Sequence, residues 1–573
     1  QGIYKIAGVS SLDYLKLYRK FSMGDRPSYA LDAIGELEVG MKKIKYEGTL
    51  QDLYEQDITK YVEYNIRDVE LLKQLDEKLG YIETARALCH KGHIPYENIY
   101  TQSQILDGAM LTYLKRRNIV APSKKIANSA NYSGEGRKHI SGAFVKEPQA
   151  GLHEWVFDID ATSMYPSIIM SLNISPETKR GKVIEWDANK RYSEPNKKWS
   201  VIKQNGKSTS MSGDQLTDYL EKNNYSLSAN GIMYSQKYKG VLGSILKEWF
   251  EERVSYKKKR DEYLNEGDTV RGDFYDRRQY VQKILLNSLY GVQALPTFRF
   301  HDLENAEATT STGQAIIKFA EKAGNQYYNK ELGEEKDWCV YIDTDSLFFS
   351  AKPLVMKRQP NIDTNDIDMM VGQTISVCKE FQDYVNKGLH VFAKKACNLN
   401  QHGFTFKQEV VGRAGLFITK KRYGMWLVDK EGHRVDKLDV KGMDIIRSNF
   451  PEGFKSLLSD VLLCQPAKGC PVHVRGAINY NFLLSQMGLD SKIEPIKSNE
   501  KIFWVYLKQN PYGFNNISFK KEDNPKEIEE FIKSYVDSKK NFHKAVNNKI
   551  EAFYGALNWT LPVDSVNTLD AFF

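Results

Sequence analysis

The spacing of apolar residues along the chain predicts several long helices. Over residues 59–78 they recur every three or four positions, which predicts a helix that ends near Gly80. Its apolar stripe consists of Val62, Ile66, Val69 and Leu72. Residues 104–117 have a similar pattern. Residues 242–263 and 277–291 are amphipathic on either side of the polar segment EGDTVRGD, which predicts a helical hairpin.

Two further segments are typical of β-strands. The segment WVFDID, residues 155–160, is strand-like and precedes a Pro166 turn and the apolar run SIIM. The segment WCVYIDTDSLFFSA, residues 338–351, is apolar and aromatic around a polar centre. It predicts two strands that meet at a tight DTD turn. We expect the chemistry of the chain to lie at these two segments.

Length and composition indicate a globular protein with several lobes. At 573 residues the chain exceeds one ordinary core, and about three to five lobes are expected. The content of 41% hydrophobic and 27% charged residues argues against a disordered or fibrous chain. A net charge of +8 fits a nucleic-acid partner, although a merely basic surface explains it equally well.

Other sequence features bear on the compartment. The six cysteines form no CxxC pair, which argues against a zinc knuckle or a disulfide framework. No run of about 18 apolar residues and no signal-like segment is present, so we expect an intracellular protein with no membrane partner. The start at Gln1 without a Met suggests that upstream sequence is missing.

The acidic residues of the strand segments are candidate metal ligands. In an extended strand, residues two apart share a face, so Asp158 could lie beside Asp160, and Asp343 beside Asp345. Carboxylates grouped in this way suit Mg²⁺, which takes one or two carboxylates together with substrate phosphates. The alternative is a solvated acidic turn. The apolar flanks favour a buried site, where carboxylates need a cationic partner.

The predicted hairpin carries a second group of candidate residues. Lys283, Asn287, Tyr290 and Gly291 share one stripe of the second helix, and Arg253 and Lys257 share one on the first. Two such stripes on either side of one cleft could bind a triphosphate. A solvated basic helix face is the alternative. Gly291 leaves room for close approach of a base or backbone.

Read together, these segments resemble the family-B DNA polymerases, in particular those of T-even-type bacteriophages. DIDATSMYPSII, KILLNSLYG and YIDTDS are similar to three polymerase motifs, in the same order and spacing. The similarity continues through NISPETKRG, ATTSTGQ, TKKRYGMW and CPVHVRGAINYN, and covers nearly the whole chain. The resemblance implies template-directed synthesis of viral DNA, with deoxynucleoside triphosphates and primer–template DNA as partners.

The resemblance also implies roles for individual residues. Asp160 and Asp345 would be the chief ligands of two Mg²⁺ ions, for which Mn²⁺ could substitute, with help from the Ala161 carbonyl. Asp343 would tune the site, and Asp158 falls outside the motif spacing and receives no metal. The remaining residues with implied roles bind the nucleotide (Ser163, Met164, Tyr165, Arg253, Lys257, Lys283, Asn287, Tyr290 and Gly291) or DNA (Lys420, Lys421, Arg422, Tyr423 and Arg475).

Two features of the chain depart from the family pattern. The connection between Arg253 and Lys283 is short, and HISGAFV lacks the usual aromatic residue at Ile140 or Ser141, which questions the coordination of synthesis with editing.

YVEYNIRD resembles the last exonuclease motif, which makes Asp68 a candidate remnant of a proofreading site. Because no suitable DxE precedes it, we expect no exonuclease activity from this chain alone. A separate N-terminal fragment, as in a split gene, or the missing part of a truncated one would be required. A purely structural helix is the alternative.

The last residues, VNTLDAFF, resemble a peptide that binds a sliding clamp. Leu569, Phe572 and Phe573 match the apolar spacing, although Val566 stands where a Gln is common. Apolar anchors on a tail need a pocket. The alternative is a tail that packs on its own thumb.

The resemblance predicts a multi-domain α+β fold shaped as a right hand, in the cytoplasm of an infected bacterial host. The palm would be an antiparallel sheet, the fingers a helical hairpin and the thumb mostly helical. The predicted domains are an exonuclease remnant (1–80), an N-terminal-domain segment (81–131), the palm (132–239 and 297–445), the fingers (240–296) and the thumb with its tail (446–573). A catalytically idle binding subunit is the rival hypothesis, and Tyr165 disfavours an RNA polymerase.

Overall fold

A computed structural model describes most of the chain. The described residues are 8–22, 26, 28–124, 140–194, 196–364, 366–442, 471–487, 503–519, 524–537 and 540. The predicted clamp-binding residues Leu569, Phe572 and Phe573 lie outside this part. Arg475 belongs to a described helix, but its side chain lies outside the described part.

The α-helices are numbered here in chain order. Their bounds are α1 (Tyr14–Phe21), α2 (Leu31–Val39), α3 (Leu50–Gln56), α4 (Ile58–Leu79), α5 (Tyr81–Gly92), α6 (Gln102–Lys115), α7 (Met164–Leu172), α8 (Ala188–Ser193), α9 (Gly213–Asn223), α10 (Val241–Asn265), α11 (Thr269–Gln293), α12 (Leu303–Leu332), α13 (Lys352–Arg358), α14 (Ile367–Cys397), α15 (Pro471–Gln486) and α16 (Lys526–Tyr535). None of the helices in the described ranges is both long and apolar enough to cross a membrane.

The strands within the described residues form three antiparallel sheets. Their bounds are β1 (Gly151–Ala161), β2 (Lys179–Val183), β3 (Lys198–Lys203), β4 (Ser208–Ser212), β5 (Tyr225–Leu227), β6 (Ile232–Ser235), β7 (Cys339–Asp343), β8 (Ser346–Ser350), β9 (Phe406–Thr419), β10 (Arg422–Lys430), β11 (His433–Lys441), β12 (Phe503–Tyr506) and β13 (Asn516–Phe519). This mixture of helices and antiparallel sheets confirms the predicted α+β class.

Six strands make the central sheet, in the order β11-β10-β9-β1-β8-β7. Helices α12 and α14 cover one face, where the rings of Phe349 and Phe381 lie 4.7 Å apart in the main core. The other face carries a smaller cluster in which the rings of Phe417 and Tyr423 stack at 5.3 Å. The strand predicted at 155–160 and the two predicted strands around the DTD turn are confirmed as β1, β7 and β8.

A second sheet, β4-β3-β2-β6-β5, packs against α9 and extends from the region after α7. The C-terminal described residues form a separate small core, in which α15 and α16 pack on the β12–β13 hairpin. Its fully buried members include Leu483, Leu484, Ile517 and Ile528.

Helices α10 and α11 pair as an antiparallel hairpin, as predicted. The predicted start of the second helix at residue 277 is wrong, because α11 begins at Thr269. Asp268 caps it by accepting a hydrogen bond from the Arg271 N–H. Gly272, which resembles a helix breaker in the sequence, lies where a Cβ would overlap the Leu264 side chain of α10.

The N-terminal helices confirm the predicted helical pattern. α4 spans the predicted residues 59–78 and ends where Gly80 adopts a left-handed conformation with φ of 62°. Its start is fixed by Asp57, which accepts a hydrogen bond from the Lys60 N–H. Ion pairs join this region to α10, among them Lys91 with Glu252 at 2.6 Å.

Candidate active site

Asp160 and Asp345 meet at one end of the central sheet. Asp160 is the penultimate residue of β1, and Asp345 lies in the turn between β7 and β8. The Ser346 hydroxyl donates a hydrogen bond to Asp160 Oδ2 at 2.8 Å. The Ala161 N–H donates to the Asp345 carbonyl oxygen at 2.9 Å. These bonds hold the end of β1 against the turn, so that both acids belong to one site.

Burial and mutual repulsion disfavour the charged forms of these acids. The pKa of Asp160 is raised to about 7, mainly by burial and next by the negative charge of Asp345. The hydrogen bond from Ser346 and the charge of Lys283 act in the opposite direction on this pKa. Burial also raises the pKa of Asp345. A cation between the two carboxylates would remove this repulsion.

The two acids make an open rather than a closed donor set. Among the described residues, no group of three or more His, Cys, Asp or Glu side chains is arranged to hold a metal ion. Two hard carboxylate donors fit a cation such as Mg²⁺, which commonly completes its shell with water and phosphate oxygens.

Asp343 is engaged by a neighbouring cation. Its carboxylate forms an ion pair with Lys421 Nζ, and the Thr344 hydroxyl donates to Asp343 Oδ1 at 3.3 Å. The Lys421 N–H donates to the Tyr341 hydroxyl at 2.7 Å. The DTD turn is therefore tied to the β9–β10 turn, and Asp343 has a different partner from Asp160.

Asp158 is committed to the backbone of β9. Its Oδ1 accepts hydrogen bonds from the N–H groups of Val410 at 2.7 Å and Glu409 at 3.3 Å, where the pairing of β1 with β9 shifts register. Burial raises the pKa of Asp158 to about 8, and the bond from Val410 acts against this rise. Asp158 and Asp160 are two residues apart on β1, but they do not form one set of metal ligands, because Asp158 is bonded to the backbone of β9.

A turn and a pair of tyrosines line the space beside the acids. Ser163 adopts a left-handed conformation with φ of 48°, and α7 begins directly after it at Met164. The rings of Tyr165 and Tyr290 lie 4.5 Å apart, and burial raises the pKa of Tyr165 to about 12. At Gly313 of α12 a Cβ would lie 3.3 Å from Tyr165 Cε1, so the close approach of α12 holds the tyrosine in place.

The hairpin helices present the predicted cations. Lys283, Asn287 and Gly291 are exposed on α11, and a Cβ at Gly291 would meet no atom within 4 Å. Arg253 of α10 is half-buried, and its Nε donates to Gln279 Oε1 at 3.4 Å. The charge of Lys283 lowers the pKa of Asp160. Lys257, one turn from Arg253, is also partly exposed.

The predicted DNA-binding element KKRY forms the tight turn between β9 and β10. Lys420 pairs with Glu147 at 3.2 Å, and Lys421 adopts a left-handed conformation with φ of 63°. Arg422 begins β10. The Tyr423 side chain is only 8% exposed and packs in the aromatic cluster of the sheet, so it supports the turn from beneath.

Sequence reasoning missed several residues that shape this site. The Phe144 carbonyl accepts from the Thr344 N–H at 3.1 Å and steadies the DTD turn. Just before it, the Ser141 hydroxyl accepts from Gln314 Nε2 at 2.9 Å, so this segment lies against α12. Ser346 directly follows the acidic turn and could have been noticed there. The roles of Phe144 and Gln314 depend on contacts between distant segments, which leave no local pattern.

Asp68 occupies a different part of the molecule. It lies on α4, and its Oδ2 forms an ion pair with Lys43 Nζ at 2.8 Å. Its Oδ1 is buried and has no hydrogen-bond partner among the described residues. The structure thus places the predicted exonuclease residue beside a lysine, and in the part of the chain that the structure describes it belongs to no group of three or more His, Cys, Asp or Glu side chains arranged to hold a metal ion.

The chain belongs to DNA polymerase family B, whose family model matches residues 96–553. The residues from β1 through the DTD turn and the KKRY turn all lie within this match.

Similar proteins include the DNA-directed DNA polymerases of Escherichia phage RB69 and Enterobacteria phage T4. The first is 26% identical over 90% of this chain and 65% of its own length, and the second 25% identical over 95% and 68%. A DNA polymerase of Pyrococcus glycovorans is 26% identical over 76% of this chain and 46% of its own length. The chain therefore spans about two thirds of the length of the phage proteins.

Proposed function

We propose that this chain catalyses template-directed DNA synthesis in the replication of a virus that infects bacteria. It would add deoxyribonucleotides to a primer 3′-hydroxyl, with release of pyrophosphate. The observation that carries the proposal is the pair of partly buried acids, Asp160 and Asp345, together with the charge of Lys283, which lowers the pKa of Asp160. The names of the phage relatives support the same activity.

Two Mg²⁺ ions are proposed to bind at Asp160 and Asp345 with the Ala161 carbonyl, and Mn²⁺ could replace them. When bound, the ions would lower the pKa of the primer hydroxyl and neutralise the triphosphate and the leaving pyrophosphate. The repulsion that raises the pKa of Asp160 favours this interpretation. Asp343, held by Lys421, would keep the turn in place and adjust the local charge.

The protein would contribute mainly positioning and charge. Lys283, Asn287, Arg253 and Lys257 would bind the triphosphate, together with the backbone of Ser163 and Met164. The primer 3′-oxygen then forms a bond to the α-phosphorus as the bond to the pyrophosphate oxygen breaks. The charge of Lys283, which lowers the pKa of Asp160, would stabilise the negative charge that accumulates in this step.

Selection of the sugar and of the base would depend on the tyrosine pair. Tyr165, held by Tyr290 and by the close approach of Gly313, would lie under the sugar and exclude a 2′-hydroxyl. Tyr290 and Gly291 would line the nascent base pair. The discrimination that pocket contacts of this kind provide is typically about 1–3 kcal/mol, so template pairing must supply the rest.

The proposed contacts with DNA lie at the β9–β10 turn. Lys420, Lys421 and Arg422 would bind phosphates of the primer strand, a contact that is independent of sequence and sensitive to salt. Tyr423, buried beneath the turn, would hold these residues in position. Arg475 is proposed to contact the duplex.

The right-hand architecture is proposed for the same elements. The central sheet with α12 and α14 would be the palm (132–239 and 297–445), the α10–α11 hairpin the fingers (240–296), and the C-terminal residues the thumb (446–573). Residues 1–80 would be an exonuclease remnant, and 81–131 an N-terminal-domain segment. A sliding clamp, bound by Leu569, Phe572 and Phe573, and a separate exonuclease fragment are proposed partners in the cytoplasm of the infected host.

Primer extension with Mg²⁺ and deoxynucleotides tests the proposal. Wild type should extend a primer, and Asp345→Ala should reduce the rate by about a thousandfold, since one of two acidic ligands is lost. Asp383→Ala, an exposed acid on α14, serves as the matched control and should extend normally. Wild type that binds primer–template without extending it would refute the activity, and full activity of Asp345→Ala would refute the site.

A further inference from the structure

Two histidines bond to each other outside the candidate active site. His390 lies on α14, and His402 lies in the segment that joins α14 to β9. His402 Nε2 and His390 Nδ1 are 2.9 Å apart, and the two ring centroids are 4.6 Å apart. The His402 ring also stacks on the ring of Phe404, which is only 6% exposed. The pair therefore ties the segment before β9 to α14.

The hydrogen bonds of this pair fix which ring nitrogens carry protons. The Phe404 N–H donates to His402 Nδ1 at 3.1 Å, so this nitrogen carries no proton. In neutral His402 the proton is then on Nε2, which donates to His390 Nδ1. The three groups form a chain in which each donates to the next. This chain requires both histidines to be neutral.

Protonation of either histidine breaks one bond of the chain. A proton on His402 Nδ1 would meet the N–H of Phe404, and a proton on His390 Nδ1 would meet the N–H of His402. Two donors that face each other lose their hydrogen bond and repel. Burial, and next the charge of His390, lower the pKa of His402, which acts in the same direction. The bonded arrangement of the pair is therefore specific to the neutral state.

The charges around the pair also disfavour its protonation. The charged side chains on the surrounding elements are Lys387 and Lys394 of α14, Glu221 of α9, Lys407 of β9, and Lys237 and Lys239 in the segment after β6 that bonds to α7. Glu221 is paired with Lys394 at 2.8 Å. The segment 398–405 and α7 contain no Asp, Glu, Lys or Arg. α12 packs on the other side of α14, at Gly388 and Phe392. These neighbours thus supply lysine charge, and their carboxylate is already paired.

The segment that the pair anchors also supports the candidate active site. The Gly403 N–H donates to Ser171 Oγ of α7 at 2.9 Å. The Thr405 carbonyl accepts a hydrogen bond from the Thr162 N–H at 2.9 Å. Thr162 follows β1 directly, and α7 carries Tyr165. A shift of this segment would therefore reach the end of β1 and the helix beside the two acids.

We propose that His390 and His402 form an acid-sensitive clamp, which holds the segment 398–405 against α14 and α7 at neutral pH and releases it when the pair takes up a proton. A histidine outside the clamp titrates near its ordinary value of about 6.5. Below that pH the released segment binds one more proton than the clamped one. The clamp therefore weakens by up to about tenfold for each pH unit, until the pH passes the lower pKa of the clamped His402. Its effect on DNA synthesis rests on the proposed function.

Amide hydrogen exchange of the free protein at about pH 7.5 and about pH 5.5, corrected for intrinsic rates, tests the clamp. In wild type the protection of the Gly403 and Phe404 amides should fall at least about threefold between these pH values, because a proton is taken up on release. His402→Asn should have the same protection at both, since an Asn side chain accepts from the N–H two residues on and does not titrate. His433→Asn, which changes an exposed histidine on β11, is the matched control and should behave as wild type does.

A titration of ¹⁵N-histidine-labelled protein by NMR tests the proton positions. In wild type, His402 should carry its proton on Nε2 and titrate below about pH 6.5. In His390→Ala the pKa of His402 should rise, because the neighbouring charge is removed. The loss of amide protection should then move to higher pH. This variant keeps His402, so it tests the clamp even where His402→Asn fails to fold.

Three results would overturn the clamp. The first is equal corrected protection of wild type at both pH values, and the second is a loss of protection in His402→Asn equal to that of wild type. The third is titration of His402 at the same pH in His390→Ala as in wild type. Neither measurement uses DNA or nucleotides, so failure of the clamp can be told apart from failure of the proposed function.

Primer extension at the same two pH values tests the coupling of the clamp to synthesis. The ratio of the rate at the higher pH to the rate at the lower pH should be smaller for His402→Asn than for wild type, and equal ratios would overturn the coupling. Absence of extension by wild type would refute the proposed function, while the exchange and NMR results would still decide whether the clamp exists.

Discussion

Asp160 and Asp68 are both acids that the sequence motifs single out, but their surroundings differ. Asp160 lies at the end of a central strand, accepts a hydrogen bond from Ser346, and is close enough to Asp345 for its pKa to be raised. Asp68 lies on a helix whose outer face is apolar and exposed, with Lys43 as its partner. The first acid has a second acid beside it, and the second acid has a lysine.

The difference follows from which described elements meet at each acid. A site with several carboxylates requires strands or turns from distant parts of the chain to meet. Around Asp160, β1 and the β7–β8 turn meet, and helices α12 and α14 cover the sheet behind them. Around Asp68, the described residues supply helix α4 and the non-helical segment that carries Lys43.

The strongest test of this contrast changes the charge of each acid without changing its shape. Asp160→Asn should lower the rate of primer extension by roughly a thousandfold, because the carboxylate charge is lost while the side-chain volume stays. Asp68→Asn should leave the rate unchanged. Single-turnover extension assays under identical salt and metal concentrations measure both. A rate for Asp160→Asn within threefold of wild type would break the comparison.

An effect of intermediate size is expected for Tyr165, on the preference for deoxyribonucleotides. Tyr165→Ala should reduce the preference for deoxyribonucleotides over ribonucleotides by about 10- to 200-fold, since the loss of one close contact changes discrimination by about 1–3 kcal/mol. The measurement is the ratio of kcat/KM for the two nucleotides. Tyr54→Ala, an exposed tyrosine on α3, is the control and should keep the wild-type ratio. Equal ratios for both variants would remove Tyr165 from sugar selection.

The smallest expected effect is on DNA binding, and it concerns the lysines that form ion pairs with Asp343 and Asp68. Lys421 pairs with Asp343, and Lys43 pairs with Asp68. Lys421→Ala should weaken primer–template binding about tenfold and reduce the slope of log affinity against log salt by about one, as one phosphate contact is lost. Lys43→Ala should change neither quantity. Binding titrations at several salt concentrations decide, and an unaltered slope for Lys421→Ala would argue against a phosphate contact.

Local patterns in the sequence were sufficient for most elements. The alternation of apolar and polar residues located β1, the DTD hairpin, α4 and the α10–α11 pair, because burial of one face imposes the period of each element. The predicted start of α11 was too late for two reasons. Asp268 is a helix cap that was present in the sequence, so this signal was local. Gly272 is tolerated within the helix because it packs closely on Leu264 of the facing helix, and this contact could not be read locally.

The partners within the site could not be read from the sequence. The bond from Ser346 to Asp160 and the ion pair of Lys421 with Asp343 join segments that are far apart in the chain. The assignment of Tyr423 to DNA binding rested on its motif, whereas its burial at 8% exposure depends on the sheet that surrounds it. Such contacts are set by strand order and register, which period and composition do not specify.

By itself, the sequence determined the candidate acids, the cationic stripes of the hairpin and the apolar period of α4, because these depend on residue type and spacing. Only the tertiary structure decided that Asp160 and Asp345 share one site, that Asp158 binds the backbone of β9, and that the α4 stripe faces solvent. The physical reason is that burial and pairing depend on which elements pack together, and an apolar stripe has the same period whether it is covered or exposed.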